Sequence, residues 1–187
     1  MEKRQGKLVV ISGPAGVGKS TITRQAVART GVALSVSATT RPPRPGEVDG
    51  QAYRFIDRPA FDALVAADGF LEYADVFGQC YGTPAAPVRQ ALEAGRTMIL
   101  EIDVQGGLQV AAKMPDATFI LIVPPSEAEL ERRLVGRGTE TADQLARRLG
   151  KATRELAIAR DSGVYKIEVV NDDLERAVEE VCRLVIG

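Results

Sequence analysis

Four apolar runs punctuate the chain. "KLVVIS" (7–12) is rich in β-branched residues and stops at Gly13. "TMILEID" (97–103) and "TFILIVP" (118–124) are continuous, and Glu168 interrupts "YKIEVV" (165–170). Short runs without alternation predict strands covered on both faces. Between them the spacing turns helical, over 20–30 with Gly31 as its stop, and over about 106–113, 126–136, 143–160 and 173–186. Strands alternating with helices predict a parallel sheet flanked by helices.

Residues 35–93 break the rhythm. They carry short alternating pieces, several prolines and one clear helix, "RPAFDALVAADG" (58–69). This reads as an insertion that leaves the core after the first helix and returns at "TMILEID". Residues 132–159 are arginine-rich without a long apolar face, which predicts a mobile helical lid. There is no repeat and no low-complexity segment.

Composition narrows the chemistry. The 187 residues, 45% hydrophobic and 26% charged with net charge −1, suit one compact domain. The absence of a basic excess argues against a general nucleic-acid binder. No apolar run has the length of a membrane span, and the N-terminus reads as a first strand rather than a signal peptide. Two distant cysteines, Cys80 and Cys182, make no disulfide framework and point to a reducing cytoplasm. The chain has no histidine, which excludes Ser-His and Cys-His nucleophiles and histidine metal sites. Chemistry is left to Lys, Arg, Tyr, Asp, Glu and any bound metal.

"GPAGVGKS" (13–20) satisfies G-x-x-x-x-G-K-[ST] in full, between a strand and a helix start. Its glycines let backbone N–H groups turn inward around phosphate oxygens, and the helix N-terminus adds positive potential. Lys19 can reach the β and γ phosphates, and the Ser20 hydroxyl can ligate Mg²⁺. Such a loop does not name the acceptor. "SVSATTRPPRPGEVDGQAYRF" (35–55) sets Arg41 and Arg44 three residues apart among prolines, with Tyr53 close behind. Arginine forks match phosphate oxygens, and a stiff backbone loses less entropy on binding. "EYADVFGQCYGT" (72–83) adds Tyr81, a carboxylate and a threonine. Two Arg and two Tyr suit a terminal phosphate; a carboxylate with hydroxyls suits a polar base.

These motifs, with "LEIDVQGG", "PPS", "RLVGRG" and "VVNDD", resemble the guanylate kinase family over nearly the whole chain. The resemblance implies an α/β fold. A parallel-sheet P-loop kinase core (about 1–34, 95–125 and 162–187) would carry a small mixed α/β GMP-binding insertion (35–94) and a helical lid (126–161). It implies transfer of the γ-phosphoryl of ATP to GMP, giving ADP and GDP, with dGMP also accepted, Mg²⁺ accompanying ATP, and a role in purine nucleotide metabolism. Carried over residue by residue, Ser37, Glu72 and Thr83 match the guanine readers. Arg41, Arg44, Tyr53 and Tyr81 match the clamp on the GMP phosphate. Asp103 and Glu101 match the acidic strand end beside the P-loop, which comprises Gly13, Pro14, Ala15, Gly16, Val17, Gly18, Lys19, Ser20 and Thr21. Arg133, Arg137 and Arg148 match lid arginines, and Asn171 a residue near adenine. Lys19, Arg41, Arg137 and Arg148 are the implied catalytic groups. ATP and GMP are the implied partners, with no nucleic acid or membrane, in a monomer or homodimer.

Plainer readings stand beside these. Arg41 and Arg44 suit solvated loop charges, Glu72 a turn cap, and Asn171 a strand-end turn residue. Arg133 and Arg137 suit helix-surface pairs with Glu129 or Glu131. The sequence also departs from the family pattern at Ala15, at Gln79-Cys80 and at Lys166-Ile167-Glu168. The rival functions are a phosphopeptide-binding module, a ribose bisphosphate kinase and a switch GTPase. The GTPase would need an NKxD motif, which the chain lacks.

Overall fold

A computed structural model describes residues 6–51, 53–135 and 142–187. The chain runs β1 (Leu8–Ser12), α1 (Lys19–Thr30), β2 (Ala33–Leu34), β3 (Ala38–Thr39), β4 (Arg54–Phe55), α2 (Arg58–Ala66), β5 (Phe70–Val76) and β6 (Gln79–Pro84). It continues through α3 (Ala85–Glu93), β7 (Met98–Glu101), α4 (Val104–Lys113), β8 (Thr118–Val123), α5 (Glu127–Val135), α6 (Ala142–Asp161), β9 (Ile167–Val170) and α7 (Leu174–Ile186).

Two sheets result. Five strands in the order β2-β7-β1-β8-β9 pair in parallel throughout. Four more, in the order β4-β3-β6-β5, form a mixed sheet in which β3 and β4 are parallel and the other pairs antiparallel. All five β1 residues are buried, as the central strand of a sheet covered on both faces requires. Alternate side chains serve opposite faces. Val9 and Ile11 pack with Ile22 and Ala26 of α1 and Val178 and Val181 of α7. Leu8 and Val10 pack with Val88 and Leu92 of α3 and Val104 and Val110 of α4.

Three elements differ from the pattern reading. Helix α3 lies within the stretch assigned to the insertion, yet its buried face, Ala85, Val88, Ala91 and Leu92, belongs to the main core. Pro84 and Pro87 hide it in the sequence, but at the N-cap and in the first turn proline removes no needed hydrogen bond. The two-residue strand β2 is too short to signal itself. The stretch read as lacking a long apolar face carries a row of five apolar residues. Leu145, Leu149 and Ala152 of α6 pack on Leu130 and Leu134 of α5, and Leu156 and Ala159 continue the row into the sheet core. Glu168, which interrupts the last apolar run, has a partner: Arg160 donates to both its oxygens at 2.8 and 3.1 Å. Among the described residues no helix is long and apolar enough to cross a membrane.

Helix α4 joins the two sheets, and two glycines let it approach both. A Cβ on Gly106 would stand 3.0 Å from Glu72 Oε2 on the small sheet. A Cβ on Gly107 would overlap the Tyr165 hydroxyl on the other side. Gly107→Ala should therefore destabilise the protein by about 2 kcal/mol through overpacking. Adding Tyr165→Phe, which removes the obstructing oxygen, should recover part of that loss. Urea midpoints of the two single variants and the double variant test this; strict additivity would show that the contact does not exist.

Candidate active site

The phosphate cradle is built from backbone. Gly16 (φ 86°) and Gly18 (φ 93°) are left-handed, a conformation side-chain-bearing residues adopt at a cost. Gly18 caps α1, its carbonyl accepting from the Thr21 and Ile22 N–H groups at 3.1 Å, and it brings no side chain to cover the start of the helix. The loop is held from behind. Asn171, at the end of β9, donates from Nδ2 to the Val17 carbonyl at 2.7 Å. Arg133 donates to the Asn171 carbonyl at 2.9 Å and to Glu129 at 2.7 Å. The Leu134 side chain lies where a Cβ on Gly16 would come within 2.6 Å. In front opens a cavity of 340 Å³, lined by the loop residues 13–16 and 18–21 together with Asp103, Lys151 and Glu155.

Strand register supplies the charges. Glu101 pairs with Ile11 across β7 and β1, which brings its carboxylate beside the start of α1. There it accepts a hydrogen bond from the Ser20 hydroxyl and lies 3.9 Å from Lys19 Nζ. Lys19 also donates to the Ile102 carbonyl at 3.2 Å. Burial lowers the Lys19 pKa, while Glu101, Asp103 and Glu155 oppose that shift. Asp103 caps α4, accepting from the Gly106 N–H at 2.7 Å. Its carbonyl accepts from Ser12 Oγ at 3.3 Å, and the Tyr165 hydroxyl donates to Ser12 Oγ at 2.9 Å. Burial pushes the Tyr165 hydroxyl up to about 12, so it remains a neutral donor.

A second group of residues lies on the small sheet. Glu72 and Thr83 are cross-strand partners on β5 and β6, both buried, and Thr83 Oγ1 donates to Glu72 Oε1 at 2.6 Å. Burial raises the Glu72 pKa and the Asp103 charge adds to the rise, against the Thr83 hydrogen bond. Ser37, half-buried, immediately precedes β3, its carbonyl accepting from the Arg54 N–H at 2.9 Å. Arg41 Nη2 donates to both oxygens of Glu47, at 2.8 and 2.9 Å, and Nη1 to the Pro42 carbonyl at 2.7 Å. Its guanidinium lies 5.5 Å from the Tyr53 ring centre, and Tyr53 meets Tyr81 edge-on at 5.9 Å. Glu47 also accepts from the Arg44 N–H at 2.7 Å, and these bonds lower its pKa, Arg41 contributing most.

The sequence-identified residues thus form two constellations, Lys19, Ser20, Glu101 and Asp103 with the cradle, and Glu72, Thr83, Arg41, Tyr53 and Tyr81 on the small sheet. Arg44 is exposed at the edge of the second. Arg133 and Asn171 sit behind the P-loop rather than in its cavity, with the Asn171 amide nitrogen committed to Val17. Arg148 lies half-buried on α6, and Arg137 lies outside the described residues. The pattern reading missed Glu47, Lys151, Glu155 and the Tyr165–Ser12 link. Only the position of Glu155 seven residues beyond Arg148, on the same helix face, could have signalled one of them.

Comparison with known proteins places this geometry. The family model described as Guanylate kinase matches residues 5–186. A guanylate kinase of Thermus thermophilus is 49% identical over 180 residues, covering 96% of this chain and 79% of that protein. That of Rubrobacter xylanophilus is 50% identical over 183 residues, covering 97% and 94%. The crystal structure of guanylate kinase from Anaplasma phagocytophilum superposes with a TM-score of 0.73 at 30% identity, covering 98% of this chain and 86% of that one.

The state of Glu72 is testable without substrate. Its pKa is raised on folding, so the folded chain holds the proton more tightly than the unfolded chain. Stability is then lost as pH climbs from the ordinary carboxylate value through the raised one. Glu72→Gln keeps the shape and the Thr83 hydrogen bond but has no charge to bury. The variant's melting temperature relative to the wild type should rise with pH across that window and then level off. A difference that stays flat between pH 4 and 8 would refute burial as the cause.

Proposed function

The chain belongs to the guanylate kinase family, and from that membership we propose how its two constellations divide the reaction. The protein is an ATP:GMP phosphotransferase, a nucleoside monophosphate kinase. The cradle of Gly13–Thr21 takes the phosphates of ATP, with Lys19 and the α1 N–H groups following negative charge as it moves. Glu72 reads guanine, whose N1–H and 2-amino group are neighbouring donors that an ionised carboxylate can accept together. Thr83 and Ser37 add hydrogen bonds to the ring edges. The carrying observation is the buried Glu72–Thr83 pair beside Gly106 and Asp103, one helix turn from the Lys19 cavity.

Arg41, Arg44, Tyr53 and Tyr81 hold the acceptor phosphate. Glu47 keeps the Arg41 fork extended in advance, and a phosphate exchanges for part of that contact. One phosphate oxygen of GMP attacks the γ-phosphorus, the bond to the β–γ bridging oxygen breaks, and ADP leaves. That oxygen is already anionic near neutral pH, so no general base is required. Catalysis is positioning and charge neutralisation, consistent with a chain that has no histidine. Arg137 and Arg148 close on the transferring group from the lid at about 126–161, while the insertion at about 35–94 closes from the other side. Asn171 supports the P-loop near the adenine.

The family uses ATP and generally a divalent metal. Ser20 and Glu101 bring a hydroxyl and a carboxylate together at the cradle's rim, hard oxygen donors of the kind Mg²⁺ accepts. Bound there, the ion supplies positive charge to the β and γ phosphates. The assigned residues read base and phosphate rather than the ribose, which supports acceptance of dGMP. We assign the protein to purine nucleotide metabolism in the cytoplasm, acting as a monomer or homodimer.

A coupled ATP-consumption assay against GMP, dGMP, AMP, CMP, UMP and a ribose bisphosphate tests the reading; efficient turnover with GMP and dGMP is expected, with only a small activity on AMP. Lys19→Met should lower kcat by roughly a thousandfold or more while GMP binding changes little. Glu72→Gln should lower kcat/KM for GMP by about a hundredfold and leave the small activity on AMP level or higher. A GMP/AMP ratio that survives that substitution removes Glu72 as the base reader.

A further inference from the structure

Helix α6 presents two rows of side chains. Leu145, Leu149 and Ala152 pack on Leu130 and Leu134, and Leu156 and Ala159 lock into the sheet core. This apolar row fixes the rotation of the helix about its axis. Leu134 in turn lies against Gly16, so α6 is registered to the P-loop itself. The adjacent row, Arg148, Lys151 and Glu155, follows the i, i+3, i+7 spacing of one helix face. Lys151 and Glu155 line the phosphate cavity opposite the loop. Lys151 Nζ stands 3.6 Å from Glu155 Oε1, its side chain 71% exposed against 14% for Glu155.

The pair is poorly explained as a helix stabiliser. Lysine precedes glutamate, the less favourable orientation, and such a pair contributes only a few tenths of a kcal/mol. Its position makes better sense electrostatically. Glu101, Asp103 and Glu155 all bear on Lys19, so three carboxylates face the region a polyphosphate would enter. An ammonium group has three donors, and one contact with Glu155 leaves others to offer. We propose that Lys151 is a further binding residue for the donor nucleotide, held over the cradle by Glu155 and turning its ammonium onto the terminal phosphates of ATP. The proposal rests on the phosphotransferase reading above.

Lys151→Gln, Lys151→Arg and the wild type should be compared by calorimetric titration with ATP alone and by steady-state kinetics with GMP. Lys151→Gln should weaken ATP binding and raise KM for ATP by about tenfold, on the scale of a lost charge-assisted hydrogen bond. KM for GMP and the melting temperature of the free protein should stay close to wild type. Lys151→Arg should restore most of the ATP affinity, and rising salt should narrow the gap between wild type and Lys151→Gln. ATP affinity unchanged in Lys151→Gln overturns the proposal. So does a parallel loss for ATP and GMP with a lower melting temperature, which would mark a structural role. The titration needs no turnover, so a protein that binds ATP through Lys151 yet makes no GDP would separate failure of the phosphotransferase reading from failure of this one.

Discussion

The structure depends on a stretch of backbone that must bend the wrong way. To offer successive N–H groups to phosphate oxygens, the loop after β1 adopts left-handed geometry at Gly16 and Gly18. Between those glycines the Val17 side chain anchors the loop in the core, and the rest of its support comes from outside. That support is the Asn171 amide from the end of β9, the Leu134 side chain from α5, and Arg133, which ties those two elements together through Glu129 and the Asn171 carbonyl. The glycine that frees the backbone also leaves the space these supports occupy. A side chain at Gly18 would collide with Asn171, so conformation and packing impose the same residue.

A second constraint follows from where the charges end up. Asp103 acts on several groups at once. It favours the charged form of Lys19, disfavours that of Glu72 and Glu155, and caps α4 through Gly106. Because α4 touches the small sheet through Gly106 and the core through Gly107, the position of Asp103 is set jointly by both. A displacement of the small sheet relative to the core would alter the field at Lys19 and at Glu72 together. The two binding regions are therefore neighbours electrostatically as well as in space.

What the sequence made legible tracks how locally each feature is determined. The four main strands and the P-loop are continuous signals, an apolar run or an eight-residue motif, and the structure places them where the pattern does. The Gly31 stop of α1 is equally local, a left-handed cap with its N–H on the Val27 carbonyl. Helix α3 escaped because its prolines look like breakers unless the helix start is known. The apolar row of α6 escaped because charged residues dilute it, and only its fit against α5 and the sheet shows that five positions suffice. Glu168 looked out of place in a strand because its partner, Arg160, lies on another element. Glu47 and Glu155 were invisible as site residues for the same reason: a carboxylate acquires meaning from the cation it faces, and that pairing is made in three dimensions. The motif residues were read through family resemblance, which names positions but not contacts, and so the hydrogen bonds by which Asn171 and Arg133 support the P-loop were not foreseen.

The remaining step concerns how a chain without histidine manages transfer between two anions. Burial drives Lys19 and Glu72 toward their neutral forms, the lysine pKa down and the carboxyl pKa up. On the proposed reading each is a group whose charge a substrate needs, the ammonium for the phosphates and the carboxylate for the two guanine donors. In the free protein burial disfavours the charged form of each, and for Lys19 the carboxylates of Glu101, Asp103 and Glu155 oppose that effect. Under the same proposal, phosphates add negative charge at Lys19 and guanine brings two donors to Glu72, and each favours the charged form of the group it meets. Lys19 and Glu72 belong to different sheets yet share Asp103 as a neighbour, so filling one region changes the field in which the other is filled. On that reading, specificity for a guanine monophosphate and stabilisation of a moving phosphoryl group draw on one arrangement, two largely buried ionisable groups whose positions are set before either ligand is present.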